Sequence, residues 1–235
     1  MTTFSLLLAI AILSYLIGSI PWGVIISKSF FGFDIRTKGS GNMGSTNAFR
    51  ILGVKWGIIV QLLDISKGVA AVLLAGLIGE GLSFPNATGF EDLTIIKFSA
   101  GIIAIFGHIF TVFAGFKGGK GINTAVGLFL AISPIELSIA ILVFVLSLIL
   151  SGYVSLGSIL ASLSMPTTMF VRQNILGVNM PSYTFLIYAD IFIAVLVIYT
   201  HRANIKRLLQ GTENHFAKLQ LIKIGFLMPK NRENK

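Results

Sequence analysis

The chain has 235 residues, of which 54% are hydrophobic and only 11% charged, against about 25% charged in an ordinary soluble domain. With a mean hydropathy of +0.88, this excludes a soluble globular domain and points to an all-α, polytopic membrane protein. The net charge of +9 is assigned to cytoplasmic loops and not to nucleic acid, because basic residues collect on the inner side of a membrane, and the absence of cysteine removes disulfides and thiol nucleophiles.

The first apolar run, from about Phe4 to Ile26, is too long for a signal peptide and reads as a retained span. Pro21 should kink it, since proline removes a helical hydrogen bond and crowds the preceding turn. A polar loop follows from Lys28 to Lys55, and Trp56 to Ile78 forms the second span. Asp64 and Lys67 lie inside that span; three apart, they share a helix face and can pair. The loop from Gly79 to Asp92 is acidic, with Glu80, Glu91 and Asp92 and no basic residue. The third span runs from about Leu93 to Phe113, with His108 near its end.

Gly115-Phe116-Lys117-Gly118-Gly119-Lys120-Gly121 comes next. Glycine is a poor helix former, at about 1 kcal/mol relative to alanine, so this stretch reads as a turn. From Ile122 to Leu150 the chain is again apolar, interrupted by Ser133-Pro134. Later spans fall at Val154–Phe170 and Tyr183–Tyr199, and the remainder carries eight basic residues.

Charge decides the topology. The five basic residues of the Lys28–Lys55 loop place it inside, which puts the acidic loop outside and Lys117 and Lys120 inside. If Ile122–Leu150 crosses twice, the basic tail also ends inside, and only Arg172 lies in an outer connection. The expectation is about seven membrane segments, with the N-terminus outside and the C-terminus cytoplasmic. Segment four is then short: Gly121 to Ser133 covers about 20 Å as a helix, against a hydrocarbon core of ~30 Å. Its N-terminal dipole would sit beside the glycine–lysine turn. Residues 1–216 read as one membrane domain and 217–235 as a basic tail attracted to anionic lipid.

Gly39-Ser40-Gly41-Asn42-Met43-Gly44 matches a dinucleotide fingerprint, but lacks the strand and βαβ setting which that fold needs. Two readings stand for it: a phosphate cradle with Arg50 nearby, or a solvated loop with helix caps such as Ser45. The Gly115–Gly121 turn is not a Walker A loop, which would need glycine at 114 and Ser or Thr at 121; Ala114 and Gly121 stand there. Its lysines alone would fit lipid headgroups. The four interleaved glycines favour a phosphate-binding turn, able to aim backbone N–H groups and ammonium charges at one anion.

Ser155 and Ser158 open the sixth span, where either could cap the helix. His201 and Asn204 share a helix face beyond the last span, while Lys206 and Arg207 read as a membrane anchor. His108, ionisable within a span, is a functional candidate. No metal-ligand spacing and no nucleophile elbow occurs.

Together these stretches closely resemble the acyl-phosphate-dependent glycerol-3-phosphate acyltransferase (PlsY) family of bacterial membranes. Its first motif resembles Gly18-Ser19-Ile20-Pro21, Asp34-Ile35-Arg36 and Gly39-Ser40-Gly41-Asn42 through Asn47 to Arg50. Its second resembles Gly107-His108 and Phe116–Gly121, and its third His201-Arg202, Asn204-Ile205, Arg207-Leu208, Gly211 and Glu213. Tyr153-Val154-Ser155-Leu156 with Ser158 also matches. Trp22 after the proline and Ser45 in place of alanine depart from the pattern, and the tail from Ala217 has no counterpart.

The resemblance implies transfer of a fatty acyl group from acyl-phosphate to the 1-hydroxyl of glycerol 3-phosphate, giving lysophosphatidate and phosphate. It implies a multi-pass protein of the bacterial cytoplasmic membrane, working at the cytoplasmic face with no cofactor and no metal. It assigns Lys120, Arg50, Ser40 and His201 to the reaction. It assigns Asn42, Gly118, Gly119, Gly121, Ser158, Asn204 and His108 to holding the substrates. The proton of the hydroxyl could go to His201, to His108 or to a substrate phosphate, and the family pattern favours the last. The polar stretches are expected to converge on one cytosolic pocket. A competing reading is an anion transporter, since short helices with glycine-rich turns mark transporter sites too; it lacks an inverted repeat and a matching polar set outside. Nothing in the sequence fixes an oligomeric state.

Overall fold

Pro21 lacks the N–H that would continue a helix, and its ring crowds the turn before it. In the computed structural model, which describes residues 2–86, 90–180, 182–216 and 220, the first span is accordingly broken rather than kinked. Helix α1 covers Thr3–Ser19, Ile20 turns extended, and α2 covers Trp22–Phe31. The helical stretch therefore continues past Ile26, the expected end, until Gly32 closes it in the left-handed conformation, with φ 73°.

The remaining helices are α3 Ser45–Ile51, α4 Val54–Gly79, α5 Asp92–Ile109, α6 Ile122–Ile132, α7 Pro134–Ser151, α8 Val154–Phe170, α9 Tyr183–Thr200 and α10 Arg202–Leu209. Short 3-10 turns lie at Ile35–Thr37 and Val112–Ala114, and a π turn at Val171–Ile175 extends α8. No strand occurs among the described residues. Among the described residues six helical stretches are long and apolar enough to cross a bilayer, and α6 is a shorter apolar helix of 11 residues. The split at Ser133-Pro134 follows the expected position. The supposed loop from Lys28 to Lys55 is instead largely structured, holding the end of α2, a 3-10 turn, α3 and the start of α4. The expected basic tail, residues 217–235, lies outside the described residues apart from Gln220.

The chain forms two compact units, Met1–Pro134 and Ile135–Lys235. In the first, helices approach at small residues, as membrane helices do where backbones must come close. A Cβ on Gly68 of α4 would strike the Thr124 carbonyl of α6, and one on Gly127 of α6 would strike the Ile65 carbonyl of α4. Gly18 of α1 and Gly107 of α5 close against each other's helices in the same way. Beneath the first polar loop, Ile35 and Met43 are almost fully buried with Val24, Ala48 and Val60. These two apolar side chains anchor an otherwise polar loop to the helices.

In the second unit α8 packs on α9, and Gly157 of α8 lies against Phe144 of α7. Arg172, expected in an outer connection, sits in the π turn and pairs with buried Glu136 of α7.

The glycine contacts make a direct prediction. Gly68→Val and Gly127→Val should each destabilise the protein by about 1–3 kcal/mol or more, because the added atoms meet backbone that cannot rotate away. Thermal unfolding in detergent measures this; an unchanged midpoint would show that α4 and α6 do not meet at these residues.

Candidate active site

The first unit carries a site built from its two polar loops. Asp34 caps the 3-10 turn and receives Arg36 twice through the side chain, Nε to Oδ1 at 3.0 Å and Nη2 to Oδ2 at 2.8 Å. Arg36 also donates from Nη1 to the Ala114 and Lys117 carbonyls, at 2.8 and 3.2 Å. One guanidinium thereby joins the first loop to the glycine–lysine turn. The Arg36 guanidinium beside Asp34 holds that carboxyl well below the usual carboxylate range, and the carboxylate raises Arg36 in turn. Asn123, in the first turn of α6, adds a second joint by donating to the Ser45 hydroxyl at 2.8 Å. Ser45 is therefore not a cap: Gly44 holds the cap position of α3, and the Ser45 side chain faces α6.

Asn47 shapes the first loop from inside. Its Oδ1 accepts the Ser40 N–H at 2.9 Å, and its Nδ2 donates to the carbonyls of Ile35, Lys38 and Asn42. Asn42 turns its own Oδ1 to the Gly44 N–H at 2.9 Å. Ser40 is left exposed on this scaffold, and Arg50 lies in the last turn of α3.

The glycine–lysine turn is seated on the end of α5. The N–H groups of Gly118 and Gly119 bond the carbonyls of Ile109 and His108, at 3.1 and 3.0 Å. A Cβ on Gly118 would strike those carbonyls, and one on Gly119 would strike Nε2 of His108. The close approach that these two glycines permit in the structure is thus to α5, and their N–H groups face it. Lys120 follows, half-buried, and Gly121 holds the cap position of α6 with no side-chain cap. An uncapped N-terminus of this kind suits an anion. An open groove of about 550 Å³ runs along the junction, lined by Asp34, Arg36, Thr37 and Gly41 from the first loop and by Ala114, Gly115, Lys117 and Gly118 from the second.

The second unit carries its own polar cluster. Glu213 accepts from Asn204 Nδ2 at 2.6 Å and from the Ser155 hydroxyl at 3.2 Å, while its other oxygen accepts from Arg207 Nε at 2.6 Å. Arg207, expected as a membrane anchor, is therefore an ion-pair partner. Neither Ser155 nor Ser158 caps α8: Tyr153 takes the cap position, and Ser158 donates to the Val154 carbonyl at 3.0 Å. His201 is buried at the junction of α9 and α10, its Nδ1 2.9 Å from the Val197 carbonyl.

The sequence-derived candidates thus fall into two groups. Ser40, Asn42, Arg50, His108, Gly118, Gly119, Lys120 and Gly121 belong to the first unit, and Ser158, His201 and Asn204 to the second. Four organising residues, Arg36, Asn47, Asn123 and Glu213, were not among the candidates. Glu213 had a signal: it is the one acid between His201 and the end of the described chain.

The glycerol-3-phosphate acyltransferase family profile matches residues 8–211. The chain is 46% identical over 228 residues to the glycerol-3-phosphate acyltransferase of Chlorobaculum tepidum, covering 89% of this chain and 96% of that one. It is 45% identical over 225 residues to that of Chlorobaculum parvum, covering 88% and 95%. Among solved structures it superposes on PlsY (YgiH), an integral membrane glycerol 3-phosphate acyltransferase, in the glycerol 3-phosphate form, with TM-score 0.76 and 37% identity over 91% of this chain and 96% of the other. The lysophosphatidic acid form of PlsY gives TM-score 0.74 and 35% identity, covering 92% and 97%. The chain is a multi-pass membrane protein of the PlsY kind and belongs to the glycerol-3-phosphate acyltransferase family.

Proposed function

We propose that this protein transfers a fatty acyl group from acyl-phosphate to the 1-hydroxyl of glycerol 3-phosphate, releasing lysophosphatidate and inorganic phosphate. The observation that carries the reading is the joining of the Ser40–Arg50 loop to the Lys117–Gly121 turn through Arg36 and Asn123. Two segments suited to anions are held side by side at the mouth of one groove. The PlsY structures similar to this chain are those of a glycerol 3-phosphate and a lysophosphatidic acid form, which supports the acceptor and the product.

The chemistry asks little beyond orientation. Acyl-phosphate is a mixed anhydride. The glycerol hydroxyl oxygen forms a bond to the acyl carbon, the bond from that carbon to the phosphate oxygen breaks, and the hydroxyl proton passes to a substrate phosphate. Lys120, Arg50, Ser40 and His201 take the phosphates and the charge that develops as this occurs. Ser158, Asn204 and Asn42 hold the substrates, with Gly118, Gly119 and Gly121 shaping the turn and His108 buried behind it. Residues 1–216 act as one acyltransferase domain. Positive charge on the site loops supports a cytoplasmic site in the bacterial inner membrane, seven segments counting α6, N-terminus outside and C-terminus inside.

In purified protein in detergent, acyl-phosphate and labelled glycerol 3-phosphate should yield labelled lysophosphatidate, without acyl-CoA or ATP and in the presence of a chelator. A strict requirement for magnesium, or no product, would remove the reading. Lys120→Ala and Arg50→Ala should each lower turnover at least about 100-fold, which is ~2.7 kcal/mol of transition-state stabilisation; near-normal turnover takes that residue out of the site. Glu213→Gln should lower it about 10-fold or more, since three donors lose their carboxylate. Unaltered kinetics in that variant would make the Glu213 cluster purely a matter of folding.

A further inference from the structure

Asp64 and Lys67 of α4 are two charged side chains that the reaction described above leaves unused, and both are almost fully buried, at 1% and 3% exposure. Lys67 Nζ lies 3.0 Å from Asp64 Oδ1 and donates to the Ile20 carbonyl at 3.0 Å. That carbonyl ends α1 at the break before Pro21. Nδ1 of His108 stands 3.5 Å from the same Asp64 oxygen, sealed from solvent and without a hydrogen bond. The other ring nitrogen, Nε2, occupies the space that a Cβ on Gly119 would fill. The Gly119 N–H bonds the His108 carbonyl at 3.0 Å. A single group of contacts thus runs from the helix break, through α4 and the imidazole, to the turn that carries Lys120.

Charges within a membrane span are expensive and are retained where they do something specific. A well-packed apolar pair in place of a buried ion pair is often neutral or better for stability, so stability alone does not account for Asp64 and Lys67. The carboxylate beside Nδ1 favours the tautomer with its proton on that nitrogen. Nε2 then turns a lone pair, and no hydrogen, toward the Cα of Gly119. The opposite tautomer would drive an N–H into a backbone with no room for it. We propose that Asp64, backed by Lys67, is a positioning residue for the acyl transfer: it fixes the His108 ring so that Gly118-Gly119 seat on α5 and present Lys120 to the substrates. This rests on the proposed reaction for its effect on turnover, and on contacts alone for its effect on the turn.

Both are measurable. Asp64→Asn strands a buried ammonium and can unfold the protein, so the variant that decides is Asp64→Asn with Lys67→Met, which removes both charges together. With the folded fraction verified by thermal unfolding, its kcat should fall about 10–100-fold, the range typical of groups that orient a functional residue, while KM for glycerol 3-phosphate changes by less than about twofold. Adding His108→Asn should cause no further loss, because the residues act as one unit. Hydrogen exchange at the Gly118 and Gly119 amides should rise at least about tenfold, with the amides of α9 unchanged. Wild-type kcat, losses that multiply on adding His108→Asn, or unaltered exchange at Gly118 and Gly119 would each overturn the proposal. If the wild-type protein makes no lysophosphatidate, the proposed reaction fails by itself, and the exchange result alone decides whether Asp64 positions the turn.

Discussion

Backbone that leaves a helix at membrane depth must find partners within the protein, because lipid offers none. Several breaks among the described residues of the first unit are met in this way. The Ser19 and Ile20 carbonyls, exposed by Pro21, receive Thr111 Oγ1 and Lys67 Nζ. The Phe110 carbonyl, past the end of α5, receives the Tyr15 hydroxyl at 2.7 Å. The Ala114 and Lys117 carbonyls receive Arg36. In the second unit the Leu150 carbonyl at the end of α7 accepts from Gln220, and the Gly152 carbonyl from the Phe216 N–H. The polar side chains of this protein are first of all answers to that constraint.

The same constraint explains why the site is assembled where it is. A loop able to receive an anion needs backbone out of helical conformation, and such backbone is affordable only where side chains already satisfy the rest of it. Asn47 does this for the first loop with one side chain, leaving Ser40 at the surface. Arg36 does it for the second, and its pairing with Asp34 fixes the guanidinium before any substrate arrives. The grip of Arg36 on two carbonyls uses the fork geometry of arginine, which a lysine could not reproduce.

Helices were legible in the sequence because long apolar runs and prolines act locally. The split at Ser133-Pro134 and the limits of α8 follow from composition and from Pro134. Of the two short polar helices, α3 escaped notice and α10 was legible only as the face shared by His201 and Asn204; neither shows the run of apolar side chains that marks a span. The site was legible as residue types but not as roles. Ser45, Ser155 and Ser158 all sit where caps are common, yet their partners are Asn123, Glu213 and the Val154 carbonyl. Two of these bonds span 78 and 58 residues, and no local pattern announces a partner at that distance. Asp64 and Lys67 were readable as a pair from their spacing; the third member, His108, joins them from another helix.

This division between scaffold and site bears on what kind of donor the protein can use. An unactivated ester or acid would demand a nucleophile, a metal or a strong base to make the carbonyl reactive. Here Asp34, Glu213 and Asp64 each face a basic partner that holds structure. In the proposed reaction a phosphate already attached to the acyl carbon supplies that activation. It brings a good leaving group and the negative charge by which lysines, arginines and a helix N-terminus can grip it. In that proposed reaction the protein has to hold two anions and align one hydroxyl with one carbonyl, a task of placement. Rigid seating of the glycine–lysine turn on α5 is what such a task requires, because a turn free to drift by 1 Å would lose the alignment that does most of the catalytic work.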